Sequence, residues 1–232
     1  MRKSLEDALY ATYASLFRQE YLPATESGMG RGIECSDGWY AILDGLCDAV
    51  SVYGRGTGHP LIKIVQVKQK MAGLRIYVDG SCDWCSGAID FACRLSGHVC
   101  EETGRPGTLM VRGRMLRTFA EDVGGAQGYR RYQPETGVSV DDGPQPPECF
   151  PPGWRTIASV LRSAVALDMP DASLRFGYAD GELLVDCQSL AEGVSGAIAC
   201  ARMMAVRSNL ATGTMQIPPL DDIGGGNHTY RR

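Results

Sequence analysis

Histidine is scarce in this chain of 232 residues: there are only three, His59, His98 and His228. None is spaced to set a base beside a nucleophile and a third, orienting group, so a histidine-based enzyme is disfavoured. Long apolar runs are also lacking, and nothing approaches the length needed to span a bilayer. A strong excess of either charge is lacking too. The formal net charge of −4 is too mild for a general nucleic-acid binder, which is usually basic, or for an acidic mimic of DNA. The segment Gly54-Arg55-Gly56-Thr57-Gly58 has the glycines of a phosphate loop. It has neither the Lys-Ser/Thr ending of one nor a strand leading into it, and reads as a turn-rich connector. Met1-Arg2-Lys3 is basic, but Glu6 and Asp7 interrupt any apolar stretch behind it, so no leader is expected.

Cysteine is not lacking. There are nine, an odd number, without the framing of a small secreted scaffold. Cys47, Cys93 and Cys200 fall in apolar helical patterns, where a free thiol packs as a small hydrophobe. A reducing, cytoplasmic compartment with mostly unpaired thiols is expected.

The chain says something twice. Gly38-Trp39-Tyr40-Ala41-Ile42 with Leu46, Ala49 and Val50 matches Gly153-Trp154-Arg155-Thr156-Ile157 with Leu161, Ala164 and Val165. A Leu-Arg pair follows each, at Leu74-Arg75 and Leu174-Arg175. An identical Ser-Gly-Ala-Ile comes next, at 86–89 and 195–198, and then a Thr-Gly at 103–104 and 212–213. This order reads as a degenerate internal duplication.

The expected fold class is α+β, with two tandem helix-hairpin-helix repeats. Ser4 is the expected N-cap of a first helix carrying Leu5, Leu9, Tyr13, Leu16 and Phe17 and ending before Pro23. Asp37 is a plausible N-cap for the next helix. Residues 61–70 and 74–79 alternate as a hairpin around Met71-Ala72-Gly73, with a slip of phase at Ile64-Val65 that suggests a bulge. A second helix runs roughly from Asp83 to Val99, and a short strand is expected over 108–111. The second repeat reads as helix 154–167, strands 173–178 and 181–186 turning at Asp180-Gly181, and helix 190–210. A lone hairpin is marginal, so the two are expected to join edge to edge into one antiparallel four-stranded sheet flanked by helices. The domain plan is an N-terminal lobe over 1–132, a Pro-rich linker over 133–152, the second repeat over 153–217 and a mobile tail over 218–232.

Glu34-Cys35-Ser36-Asp37-Gly38-Trp39-Tyr40, with Ile42, Leu46 and Cys47, resembles a signature of a family of uncharacterised phage and prophage proteins. Gln66-Val67-Lys68-Gln69-Lys70-Met71-Ala72-Gly73-Leu74-Arg75-Ile76-Tyr77 resembles its second signature, and the stretch from Leu9 to Gln19 is similar as well. The resemblance covers roughly residues 1–120. In the family the second helix is followed by Cys-x-x-Cys-Gly-x-Pro-Gly and a later Leu-Cys with a nearby His, a spacing like that of a zinc ribbon. Here Cys100 stands alone, Thr103 takes the next position, and Phe119 and Asp122 fall where the later pair belongs. The resemblance therefore implies a degenerate, metal-free copy and a phage setting, but no settled activity.

Among the chemical candidates, Cys82-Asp83-Trp84-Cys85 could be a redox pair, or half a zinc site completed by Cys93, His98 or Cys100. The bland alternative is two reduced thiols at a helix start. Trp39 and Trp154 are expected in the core. Arg75 and Arg175 read as strand residues paired with acids of their own lobes. Arg105, Arg112, Arg114 and Arg117 form the one basic patch free of acids, and are the candidate partner-binding residues.

No catalytic residue, cofactor or metal is expected. The leading reading is a non-enzymatic phage accessory protein acting in the host cytoplasm. It would bind a host protein or protein–nucleic acid complex and inhibit host defence, in the manner of an anti-CRISPR protein, by steric occlusion. Direct nucleic-acid binding stays open, and a membrane partner is not expected. The alternatives are a nucleic-acid module derived from a zinc ribbon and an immunity protein neutralising a toxin.

Overall fold

Gly87 and Gly196, the glycines of the two Ser-Gly-Ala-Ile tetrapeptides, sit where two helices touch backbone to backbone. In the computed structural model these helices are α3 (Asp83–Ser96) and α6 (Glu192–Val206). A Cβ at Gly87 would lie 1.9 Å from the Gly193 carbonyl oxygen, and one at Gly196 would lie 1.9 Å from that of Trp84. Only glycine permits this approach. The contact is reciprocal: each glycine meets the other helix three residues before the other glycine. The structure describes residues 1–17, 23, 27–59, 62–80, 82–133, 150–170, 172–187 and 191–219.

Two further helices complete the central bundle. Helix α2 (Tyr40–Thr57) packs on both α3 and α6, and α5 (Arg155–Asp168) does the same. Each is entered through a short 3-10 turn, Asp37–Trp39 and Pro152–Trp154. Asp37 lies inside that turn and caps no helix. Gly38 and Gly153 press against matching turns: Gly38 N–H donates to Glu101 O and Gly153 N–H to Leu210 O, both at 2.8 Å. The Thr-Gly pairs close those turns, with Gly104 N–H donating to Cys100 O and Gly213 N–H to Asn209 O. Both tryptophans are fully buried, as expected. Their indoles donate to different carbonyls, Trp39 to Val99 O at 2.8 Å and Trp154 to Ala205 O at 3.1 Å.

The hairpins are β1 (Lys63–Lys70) with β2 (Gly73–Asp79), and β6 (Leu174–Ala179) with β7 (Glu182–Cys187). The expected bulge is present between Ile64 and Gln66. The shared four-stranded sheet is not. Among the described residues each hairpin is a separate two-stranded sheet. Two packing facts explain this. The α3–α6 crossing occupies the middle of the bundle, while β2 lies on α3 and β7 on α6. The free edge of β1 is also taken: Glu34 N–H donates to Val67 O, Gln69 N–H to Glu34 O and Ile64 N–H to Leu16 O.

Other expectations need correction. Helix α1 spans Lys3–Thr12 with Arg2 at its N-cap, so Ser4 lies inside it. Residues 54–57 continue α2 instead of forming a loop, and Gly58, at φ 69°, ends the helix in a left-handed cap. The Leu-Arg pairs occupy different places, Leu74-Arg75 on the second strand of its hairpin and Leu174-Arg175 on the first. Measured from the turns at Met71-Ala72 and Asp180-Gly181, Leu74 corresponds to the buried Leu183. Of the expected linker, residues 134–149 lie outside the described residues, as do 220–232 of the tail.

Among the described residues one sheet has no counterpart in the second half. Strands β4 (Met115–Phe119), β3 (Thr108–Arg112) and β5 (Arg130–Arg131) pair in that order, with α4 (Glu121–Ala126) between β4 and β5. They enclose a small separate core of Cys100, Met110, Phe119, Ala120 and Tyr129.

Candidate partner-binding surface

The four arginines singled out by sequence all fall on or beside this extra sheet, but they do different jobs. Arg117, on β4, reaches Glu101 at 2.5 Å. Glu101 is 2% exposed, and burial raises its carboxyl above the ordinary value of 4.5, with Arg117 pulling it part of the way back. Arg117 therefore neutralises a buried acid whose main chain also receives Gly38 N–H. Arg105 clamps Asp122, its Nη2 lying 2.7 Å from both carboxylate oxygens. That hydrogen bond raises Arg105 and lowers Asp122 from their ordinary values. These two residues hold the sheet to the turn that follows α3.

Arg112 and Arg114 remain. The β3–β4 turn has Gly113 at φ 59°, the left-handed position that a two-residue hairpin loop requires, and Arg114 stands at its tip. Arg112 lies over the Tyr129 ring at 4.6 Å and donates to Gln127 O at 2.7 Å. The ring and the carbonyl fix its guanidinium in place. Strand register adds a residue the sequence reading missed: Arg130 on β5 sits opposite Val111. Glu121 and Asp122 separate it from the other arginines in sequence, and only β5 pairing brings it back. Its neighbour Arg131 pairs with Glu121 at 3.3 Å. Among the described residues no carboxylate pairs with Arg112, Arg114 or Arg130. All three are exposed, together with Met115 and Tyr132. Faces alternate along a strand, so Arg130, opposite Val111, and Arg112, one residue on, lie on opposite faces; the end of this sheet thus carries exposed guanidiniums on both faces with apolar side chains among them, suited to carboxylates or phosphates.

The other candidates are dispersed. No three His, Cys, Asp or Glu side chains gather to hold a metal among the described residues, so Cys93, His98 and Cys100 do not complete a site with Cys82 and Cys85. Cys100 belongs to the small core under the sheet. His98 is exposed at its surface, though desolvation by the protein around it lowers its imidazole from the ordinary value, and His59 stacks on Tyr53. Arg75 donates to the carbonyl of Leu74 and pairs with no described carboxylate, contrary to the acid partner expected for it; Arg175 lies opposite Asp186 on β7. A groove of about 750 Å³ runs between β2, α3 and the extra sheet, with Arg75, Ile89, Cys93 and Leu109 in its walls.

The chain matches no family model, no curated protein and no solved structure. No helix among the described residues is long and apolar enough to cross a membrane.

Proposed function

We propose that this protein is a non-enzymatic binding protein whose working surface is the arginine end of the extra sheet. The observation that carries this is the contrast between paired and unpaired guanidiniums. Arg105, Arg117 and Arg131 are used up on Asp122, Glu101 and Glu121, while Arg112, Arg114 and Arg130 are held exposed without a carboxylate. Internal ion pairing accounts for none of those three, although Arg112 also packs on Tyr129 and donates to Gln127 O. We further infer that the bundle arose by tandem duplication. The matched glycine contacts at 38 and 153 and at 87 and 196 support that origin. The extra sheet then stands as an addition to a paired scaffold, which is where a family-specific task is most readily placed.

The partner is an acidic surface on a host protein or protein–nucleic acid complex, and binding blocks it sterically. The resemblance of residues 34–47 and 66–77 to phage and prophage proteins supports a role in the host cytoplasm as an inhibitor of host defence of the anti-CRISPR kind. The test is capture from a bacterial lysate with and without nuclease, comparing the native chain with R112E/R114E/R130E. Capture that survives nuclease and is lost in the charge-reversed variant supports the reading. Capture abolished by nuclease moves the function to direct nucleic-acid binding, and equal capture by both forms removes the surface from consideration.

A further inference from the structure

A second site lies across the bundle, and it rests on different residues. Cys82 is the N-cap of α3: its Sγ accepts the Cys85 N–H at 3.5 Å, in the place where a serine or aspartate oxygen ordinarily caps a helix. The Cys82 sulfur therefore sits at the positive end of a fourteen-residue helix, with the Cys85 N–H donating to it. Burial raises both the Cys85 thiol and the hydroxyl of Tyr53, on the neighbouring helix α2, from their ordinary values, and the nearby Cys82 side chain adds to both shifts. The two thiols differ in access, since Cys82 is half-buried, like Cys93 and Cys187, and Cys85 is buried.

The surroundings hold this arrangement in place. Tyr53 stacks on Trp84, the residue between the cysteines, at 4.1 Å and 8°. The Trp84 carbonyl in turn abuts Gly196 at the helix crossing. The first turn of α3 is thus clamped from both sides, with Glu192 of α6 the carboxylate facing Tyr53.

We propose that Cys82 and Cys85 form a reversible dithiol–disulfide centre that exchanges with low-molecular-weight disulfides such as oxidised glutathione. Cys82 attacks, because it is the more reachable sulfur of the pair and stands at the N-cap of α3. As a thiolate it displaces one thiolate from R–S–S–R, forming a mixed disulfide. Cys85 then gives up its proton and attacks Cys82 Sγ, expelling the second thiolate. Two protein thiols become one disulfide and one R–S–S–R becomes two R–SH, the two protons passing from the cysteines to the leaving groups. Tyr53 is a positioning residue: its ring stacks on Trp84 and its hydroxyl lies beside Cys82 without reacting.

The test uses the full chain, incubated natively with oxidised glutathione, quenched by iodoacetamide and mapped by peptide mass spectrometry. The native chain is expected to yield the Cys82–Cys85 disulfide, while C85S or C85A accumulates glutathione on Cys82. Y53F, which keeps the ring stacking, is expected to slow modification of Cys82 several-fold and leave the half-buried Cys93 and Cys187 unchanged. The proposal is overturned if no Cys82–Cys85 disulfide forms in the native chain. It is equally overturned if Cys93 or Cys187 takes up glutathione as fast as Cys82.

Discussion

The helix crossing makes one substitution do opposite things at two positions. At Gly87 a Cβ would stand 1.9 Å from the Gly193 oxygen, whereas ordinary contact begins at 3.4 Å. The obstacle is main chain, so no side-chain rotation relieves it. In an interior packed to crystal density, α3 and α6 must separate by about 1.5 Å. Their neighbours Ala88, Ala197, Cys200 and Ala201 are buried and would lose contact along the seam. Overpacking costs about 1–3 kcal/mol, and a backbone clash belongs at or above the top of that range. Alanine returns about 1 kcal/mol of helix propensity. The net expected for G87A is a loss of about 2 kcal/mol, or about 4–8 °C in Tm for a chain of this size. Gly196→Ala should cost a similar amount. Gly56, in the last turn of α2, has nothing within 4 Å of its missing Cβ. G56A should therefore stabilise by about 0.5–1 kcal/mol. Urea unfolding of the three variants reads the contrast directly. If G87A is as stable as the native chain, or shares the gain of G56A, the close crossing is wrong.

Other expectations follow from single contacts. Met71 and Ala72 both adopt positive φ, 51° and 63°, in a hairpin turn that favours glycine or asparagine; A72G should stabilise by about 0.5–1 kcal/mol in urea unfolding. Arg207, at the C-cap of α6, is buried and reaches Asp44 and Asp48 of α2 at 2.6 and 2.9 Å, and Asp44 also accepts the Tyr13 hydroxyl; D44A/D48A should cost about 3 kcal/mol in the same assay, because it strands a buried cation. Glu101 has a folded pKa raised above 4.5, so the folded state holds its proton more tightly than the unfolded chain. Its contribution therefore becomes less favourable as pH rises from about the unfolded value through the folded one. E101Q should lack that decline, visible as a difference in slope between the two stability–pH curves above pH 4.5.

Much of this was legible in the sequence for identifiable reasons. The recurring Gly-Trp, Ser-Gly-Ala-Ile and Thr-Gly anchors are contact points, and spacing alone revealed them. The alternation over 63–79 gave the hairpin, and the slip at Ile64-Val65 gave its bulge. Which edges pair is a tertiary matter, so the shared sheet was misjudged: nothing local says that Glu34 covers β1. The glycines at 54 and 56 read as a loop because propensity is a weak prior; Tyr53, stacked on Trp84, and the Gly58 N–H bond to Gly54 O hold the helix past them. At the surface, charge pattern found Arg112 and Arg114. It could not separate them from Arg105 and Arg117, whose acids Asp122 and Glu101 arrive only through the fold. Arg130 was invisible without the β3–β5 register.

The proposed role turns on where a partner touches. The most direct measurement is hydrogen–deuterium exchange of the captured complex against the free chain. Protection concentrated on residues 108–132, with β6, β7 and α5 unchanged, is the expected result. Protection confined to the hairpins or the helix bundle, with 108–132 still exchanging freely, would contradict it.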